Sequence, residues 1–415
     1  MKVSALLRQA LIYGLPAGPL AMLGIPLYIY LPTYYYQLGL ELGVVGAMLL
    51  LARITDVVSD PLIGWLRDYS GARGRYGLIV VGWFLLLIGL WRLLLPTGGV
   101  SAWYLVFWAM WVYLAWTLIM IPYQALSAEL SQQPHLKTYY TGMREAFGML
   151  GVVVVLVLPF LLPDSEDYRA VFALLYPLLA VGLSLSLCLM LMRLVVLTPL
   201  AAVLTQPKLS FKMLLLVWRD PASHALLPAY FFNSLANALP ATLFLLFVNE
   251  YLQRSAATGL LLLIFFFAGV CALPFWVWLS KKIGKYPAWR LSIISACFSF
   301  IWVFFLDSGQ AELFAVISFF SGLSVGADVA LPSSIQADIA QDLSAKHGPM
   351  SGLLFGLWGM LTKLALALAV GLAFPLLDWA GLEQHTPASL QTMLWLYAGV
   401  PILIKLWVLY WLRGK

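Results

Sequence analysis

Twenty-three consecutive residues, Thr258 to Ser280, carry no charged side chain, and runs of similar length recur along the chain. A helix needs about 20 apolar residues to cross a bilayer, so each run is long enough to span one. The runs are continuous rather than alternating, which excludes a membrane barrel and leaves helices, whose backbone groups pair within the segment. With 63% hydrophobic and 10% charged residues, the 415-residue chain lies far from soluble domains, in which about a quarter of residues are charged. The expected fold is an all-α membrane protein.

Spans are expected at 11–36, 42–66, 78–97, 102–126, 143–163 and 170–195, then at 225–250, 258–280, 288–306, 311–334, 351–377 and 391–412. Residues 198–224 form the longest polar connector. This gives twelve transmembrane helices in two pseudo-symmetric six-helix bundles, 1–197 and 225–415. Loop charge sets the orientation. Arg67, Arg73, Arg75, Lys137, Lys208, Lys281, Lys282 and Lys346 fall on one side, and Asp164, Glu166, Asp167, Asp307 and Glu312 on the other. By the positive-inside rule both termini are cytoplasmic. The same bias accounts for the net charge of +6 without nucleic acid. The N-terminal apolar run continues to Tyr36 with no small-residue cleavage site, so it reads as a retained first helix. The expected location is a bacterial inner membrane.

Charges inside the spans mark the candidate site. Arg53, Asp56 and Asp60 interrupt the second span, and at about 100° per residue they fall within roughly 60° of arc. They share one face. A charge near the bilayer centre costs ~3 kcal/mol, so this face must meet protein or a water-filled cavity. Arg144, opening the fifth span, is either a snorkelling anchor or a cavity base gripping substrate oxygen. Asn233 and Asn237, one turn apart in the seventh span, either bond between helices or line a polar cavity. Trp116 offers a ring to a sugar face or an acyl chain, against the commoner role of packing. Tyr34 ends a first span broken by Pro16, Pro19, Pro26 and Pro32, and belongs to an interfacial belt or to a cavity wall. Asp328 in the tenth span pairs with Lys405 or Lys363, or supplies an acid missing elsewhere. Asp68, Arg73, Glu129, Asp338 and Asp342 lie near the cytoplasmic ends, as solvated charges or as a gate.

Several chemistries are excluded. Cys188, Cys271 and Cys297 lack metal-ligand spacing and read as packing residues. His135, His224, His347 and His385 are expected in loops, again without ligand spacing. Gly322-Leu-Ser324-Val-Gly326 matches a nucleophile-elbow pattern but sits in a span rather than a strand-to-helix turn. No phosphate-cradling loop occurs. Neither an enzyme nor an ATP-driven pump is expected, and no cofactor or metal.

Gly64-x-x-x-Asp68-x-x-Gly71-x-Arg73, after the second span, has a weaker echo around Lys281-Lys282-Ile-Gly284-Lys285. This repeated loop resembles the signature of the major facilitator superfamily. Arg53-Ile-Thr-Asp56-Val-Val-Ser-Asp60-Pro61 is similar to the second-helix motif of its glycoside–pentoside–hexuronide:cation symporters, the melibiose permease family. Tyr34-Tyr35-Tyr36, Ile121-Pro122-Tyr123-Gln124-Ala125-Leu126, Arg144-Glu145-Ala146, Asn233-x-x-x-Asn237, Ala337-Asp338-Ile339 and Lys363 fit the same pattern in order. The resemblance implies alternating access of two bundles around a central cavity. It also implies a cation site at Asp56, Asp60 and Thr117, charge pairing by Arg53 and Lys363, and a substrate site using Arg144, Gln124, Asn233, Asn237 and Tyr34, to which Trp116 is added for its place beside Thr117.

Two family acids are absent. Met120 stands where a fourth-helix acid completes the cation site, and Ala21-Met22-Leu23 replaces the region of a first-helix acid that grips sugar. Sodium needs several oxygen ligands whereas a proton needs one suitable carboxylate, so H+ is expected over Na+. The leading expectation is cation-coupled symport of a small solute, a glycoside or other sugar, by a monomer. The alternative is a carrier or exporter of an amphiphile such as a lysophospholipid, since superfamily relatives with the same acids and lysine carry these. A non-transporting assembly or sensor protein is the remote third.

Overall fold

The computed structural model describes residues 3–131, 133–158, 168–194, 211–381 and 387–414. Among these there is no strand. Proline removes a ladder N–H, and the four prolines of the first span break it into α1 (Val3–Gly14), α2 (Ala17–Ala21), a wide π-type turn (Pro26–Tyr30) and α3 (Leu31–Gln37). Long helices follow: α4 (Leu42–Tyr69), α5 (Gly71–Leu94), α6 (Ala102–Glu129), α7 (Pro134–Val157) and α8 (Tyr168–Leu194). A short α9 (Phe211–Arg219) lies within the predicted connector. Then come α10 (Pro221–Leu246), α11 (Thr258–Ile283), α12 (Lys285–Ile301), α13 (Ala311–His347), α14 (Ser351–Trp379), α15 (Pro387–Leu394) and α16 (Val400–Trp411).

Among the described residues, ten helices are long and apolar enough to cross a membrane. The first predicted span is broken into short helices, and α4, 28 residues long, carries Arg53, Asp56 and Asp60 in its middle. Helix ends differ from the expected spans because hydropathy marks where the apolar run stops, not where the backbone ladder does. α13 continues past 334 to His347, through residues with good helix propensity, and stops before Gly348 at φ +86°. α7 starts at Pro134, whose missing N–H costs nothing in a first turn. The histidine expectation is corrected for the same reason: His135, His224 and His347 are helical, while His385 lies outside the described residues. No group of three or more metal-ligating side chains forms among the described residues.

The chain divides into two compact units, Met1–Ser210 with Ala337–Met360, and Phe211–Gln336 with Leu361–Lys415. In the first, Tyr13, Leu31, Tyr35, Ala52, Leu86, Val112, Ile119 and Tyr123 form the fully buried core. On α5, Val81, Phe84, Ile88 and Trp91 recur at helical spacing on the opposite, exposed face. A soluble protein rarely exposes such a stripe; here it is the surface offered to lipid. In the second unit, Ala365, Ala369, Ala373 and Leu377 line one face of α14 at four-residue spacing. There the Phe247 and Tyr397 rings stack with centroids 4.1 Å apart, at two π-type turns (Phe247–Tyr251 and Trp395–Gly399) that bring aromatic side chains inward. Gly322 and Gly326 let α13 approach α11, since a Cβ at Gly322 would lie 2.3 Å from the Phe265 carbonyl oxygen. The glycine–serine motif is thus a packing face.

Candidate functional site

α4 has two unlike faces. Ile54, Val58 and Leu62 are exposed, while Ala52, Asp56, Asp60 and Ile63 point inward, with Asp56 7% and Asp60 1% exposed. α6 packs along that inner face and places Thr117, fully buried, between the two acids. Thr117 Oγ1 lies 3.1 Å from Asp56 Oδ1 and 3.0 Å from Asp60 Oδ1. A hydroxyl has one proton to donate. Both contacts are hydrogen bonds at once only when one carboxyl carries a proton and donates it back. Two acids one turn apart, bridged by a hydroxyl in a buried site, thus form a group suited to hold one small cation. Arg53 is half-buried one turn before Asp56, and Met120, half-buried one turn after Thr117, adds a thioether instead of an oxygen.

On the other side of α6 in the first unit, α1 and α6 are tied by reciprocal bonds. The Tyr13 hydroxyl donates to the Tyr123 carbonyl at 3.1 Å, and the Tyr123 hydroxyl to the Tyr13 carbonyl at 2.7 Å. Arg144 on α7 is 4% exposed beside these tyrosines, with its Nε 3.0 Å from Glu145 Oε1. A buried guanidinium whose charge is shared with one partly exposed carboxylate can take up an anionic or oxygen-rich group by exchanging partners. Glu145 received no role from sequence, although it stands next to Arg144 in the matched motif. Trp116 and Gln124 are half-buried along α6. Tyr34 is only 3% exposed, its ring packed edge-on against Tyr35 and Phe172, so it is a core residue here.

The cytoplasmic-end charges are more buried than solvated loop residues. Asp68 is 3% exposed, and its carboxylate accepts the Gly352 and Leu353 N–H groups, each at 2.8 Å. A carboxylate at the start of a helix meets both the unpaired N–H groups and the positive end of the dipole. Asp68 therefore caps α14. Arg67 bonds Asp68 at 2.9 Å and, with Arg75, reaches Glu129. Lys137, 1% exposed, pairs with Asp338 at 3.0 Å and also bonds Gln341. Asp342 is exposed, and the Arg73 side chain lies outside the described residues. Arg67, Arg75 and Lys137 were legible only as topology signals. Apart from Asp68, which adjoins Arg67, their carboxylate partners lie 54 to 201 residues away in sequence.

Glycines allow this packing. Gly64 and Gly352 meet backbone to backbone, each Cβ position lying 2.2 Å from the other's carbonyl oxygen. Further along α14, a Cβ at Gly359 would lie 2.5 Å from Asp60 Oδ2. The acid is thus flanked by Thr117 on one side and bare backbone on the other.

In the second unit Asp328 pairs with Lys405 at 2.8 Å, which settles the partner that sequence left open. Asn233 and Asn237 join the same network: Lys405 donates to Asn233 Oδ1 at 2.9 Å, and Asn237 to Asp328 at 3.3 Å. Lys363 also belongs to the second unit, half-buried on α14.

Comparison with known proteins adds the following. A family model described as MFS/sugar transport protein matches residues 12–413. The sodium-dependent lysophosphatidylcholine symporter 1 of Gallus gallus is 24% identical, over 94% of this chain and 83% of its own length. The sphingosine-1-phosphate transporter MFSD2B of Mus musculus is 25% identical, over 86% and 79%. Among solved structures, a bacterial homologue of the iron transporter ferroportin superposes with a TM-score of 0.70 at 14% identity, over 100% of each chain. The MFS transporter FucP superposes with a TM-score of 0.66 at 10% identity, over 97% and 98%.

Proposed function

From the premise that this chain belongs to the MFS/sugar transport protein family, we propose that it is a cation-coupled carrier of an amphiphile of the lysophospholipid class, working by alternating access. That it is a multi-pass membrane transporter and not an enzyme follows from the family and the fold. The amphiphile replaces sugar as the first reading because the similar proteins are named for lysophosphatidylcholine and sphingosine-1-phosphate. The missing first-helix acid at Ala21-Met22-Leu23 agrees with it, since a single acyl chain offers no ring of hydroxyls to grip. Arg144 is assigned to the anionic head, and Trp116 and Gln124 to the same substrate site.

The observation that carries the coupling is the buried Asp56–Thr117–Asp60 group. We assign it a proton, because one hydroxyl between two carboxylates is satisfied by one proton and Met120 removes an oxygen that sodium would use. Sodium is the second reading, favoured by the sodium dependence in the relatives' names. Asp68, Glu129 and Asp338, with Arg67, Arg75 and Lys137, are assigned as the gate that holds residues 337–360 against α4 and α7 in this state and releases them in the other.

Thermal melting of the detergent-purified protein tests the reading, because a ligand of the folded state raises the melting temperature by mass action. Lysophosphatidylcholine should stabilise the protein, and more strongly at pH 5.5 than at pH 7.5. In Asp56→Asn any response to the coupling cation should be lost. Stabilisation that responds to sodium and not to pH selects the second cation; glycosides that stabilise while lysolipids stay silent overturn the substrate.

A further inference from the structure

α9 differs from the helices around it. Its nine residues are too few to cross a bilayer, yet they include two cations, no acid, and otherwise only apolar side chains. Val217 is buried in the second unit, whereas Leu216, Trp218 and Arg219 are exposed. A basic amphipathic helix with a tryptophan on its open side belongs in the membrane–water interface, neither across the lipid nor free in water.

The contacts of Trp218 set its level. Its ring meets His224 on α10 edge-on with centroids 5.2 Å apart, and His224 meets Trp411 on α16 at 5.9 Å. Trp411 donates its indole N–H to the Ala225 carbonyl at 3.0 Å and stacks on Trp407 at 5.3 Å. The ring ladder thus runs unbroken from α9 to α16. On α16 Leu403, Leu406, Trp407 and Tyr410 recur at helical spacing and are all exposed, the row that this helix offers to lipid. Trp218 continues that row onto α9.

Cations stand at the same end. The apolar span containing α10 begins at Pro221 and that containing α16 ends at Trp411, so Arg219 lies two residues outside one span and Arg413 two residues outside the other. Both are exposed, and the Arg413 guanidinium lies 5.2 Å over the Tyr410 ring. The acid next to Arg219, Asp220, caps α10 by accepting the Ser223 N–H at 2.9 Å. An apolar row, then indole rings, then two cations match in order the acyl chain, the glycerol region and the charged head of a phospholipid.

We propose that α9 and the end of α16 form a site for an anionic phospholipid of the leaflet that the basic loops face, its head held by Arg219 and Arg413 and an acyl chain lying along Trp407, Leu406 and Leu403. A zwitterionic head brings its own cation to the same two guanidinium groups and is held less tightly, so the site selects for net negative charge. It uses no residue assigned to the substrate or the coupling cation, and it stands whether or not the carrier reading holds.

Native mass spectrometry of the detergent-purified protein, titrated with dioleoylphosphatidylglycerol and with dioleoylphosphatidylcholine, reads both the number of bound lipids and their affinities. The wild type should bind one phosphatidylglycerol about tenfold or more tightly than phosphatidylcholine. A cation near the lipid surface changes affinity about fivefold, so Arg219→Gln and Arg413→Gln should each cut the preference by that factor and the double variant should abolish it. Trp218→Ala should weaken both lipids alike, because it removes apolar contact and no charge. Lys282→Gln is the control: this lysine lies 4.2 Å over the Trp278 ring on α11, and its loss removes an equal charge from another place on the surface. All these side chains are exposed, so the variants should fold. No preference in the wild type, a preference that survives the double variant, or one lost equally in Lys282→Gln would overturn the site and leave only general surface charge. A dimer that forms without added lipid and is lost in Trp218→Ala would also overturn it, assigning the face to a second copy of the chain.

Discussion

Asp60→Asn protein in proteoliposomes is expected to lose gradient-driven accumulation by about 100-fold while still exchanging substrate across the membrane. The asparagine keeps the size of the side chain and its bond with Thr117, so α4 and α6 stay packed. What is lost, on the proposed reading, is a carboxylate that would hold the coupling cation. A cation drives a carrier only through its different affinity for the two states, and a residue that cannot titrate has none to offer. Counterflow of labelled substrate, measured beside uptake under an imposed gradient, separates the two activities. Equal loss of both would make Asp60 a structural residue.

Gly64→Ala should be among the most destabilising small changes in the first unit. Its added methyl group would sit 2.2 Å from the Gly352 carbonyl oxygen, a backbone atom that no rotamer change can move aside. α4 and α14 would have to separate and give up the Asp68 cap on α14. Overpacking of this kind costs on the order of 3 kcal/mol, enough to lower the melting temperature by several degrees. Gly46→Ala is the control on the same helix, with nothing within 4 Å of the added carbon, and it should leave melting unchanged or slightly raised. Similar melting of the two variants would contradict the close packing at Gly64.

These expectations show where sequence carried far and where it did not. The charged face of α4 was legible because helical periodicity and the cost of charge in lipid act locally: Arg53, Asp56 and Asp60 needed only their own spacing. Thr117 required the family resemblance, since a threonine in an apolar helix has no pattern of its own. The pairs Lys137–Asp338 and Arg67–Glu129 were hidden by their sequence separation. The basic members already had a sufficient reading as topology signals. Tyr34 shows the opposite error: tyrosines at a span end suggest an interface or a cavity, while packing against Phe172 buries this one. Asp328 was visible as an anomaly, but Trp289, Ser292 and Asn237 come from other helices, and only the fold brings them together.

The central claim is cation-driven movement of an amphiphile, and the direct measurement is uptake of labelled lysophosphatidylcholine by proteoliposomes under three conditions: an inward proton gradient, an inward sodium gradient, and none. The account predicts accumulation above the protein-free level that is driven by the proton gradient and absent without one. Uptake equal to protein-free vesicles, or uptake indifferent to either gradient, would contradict it.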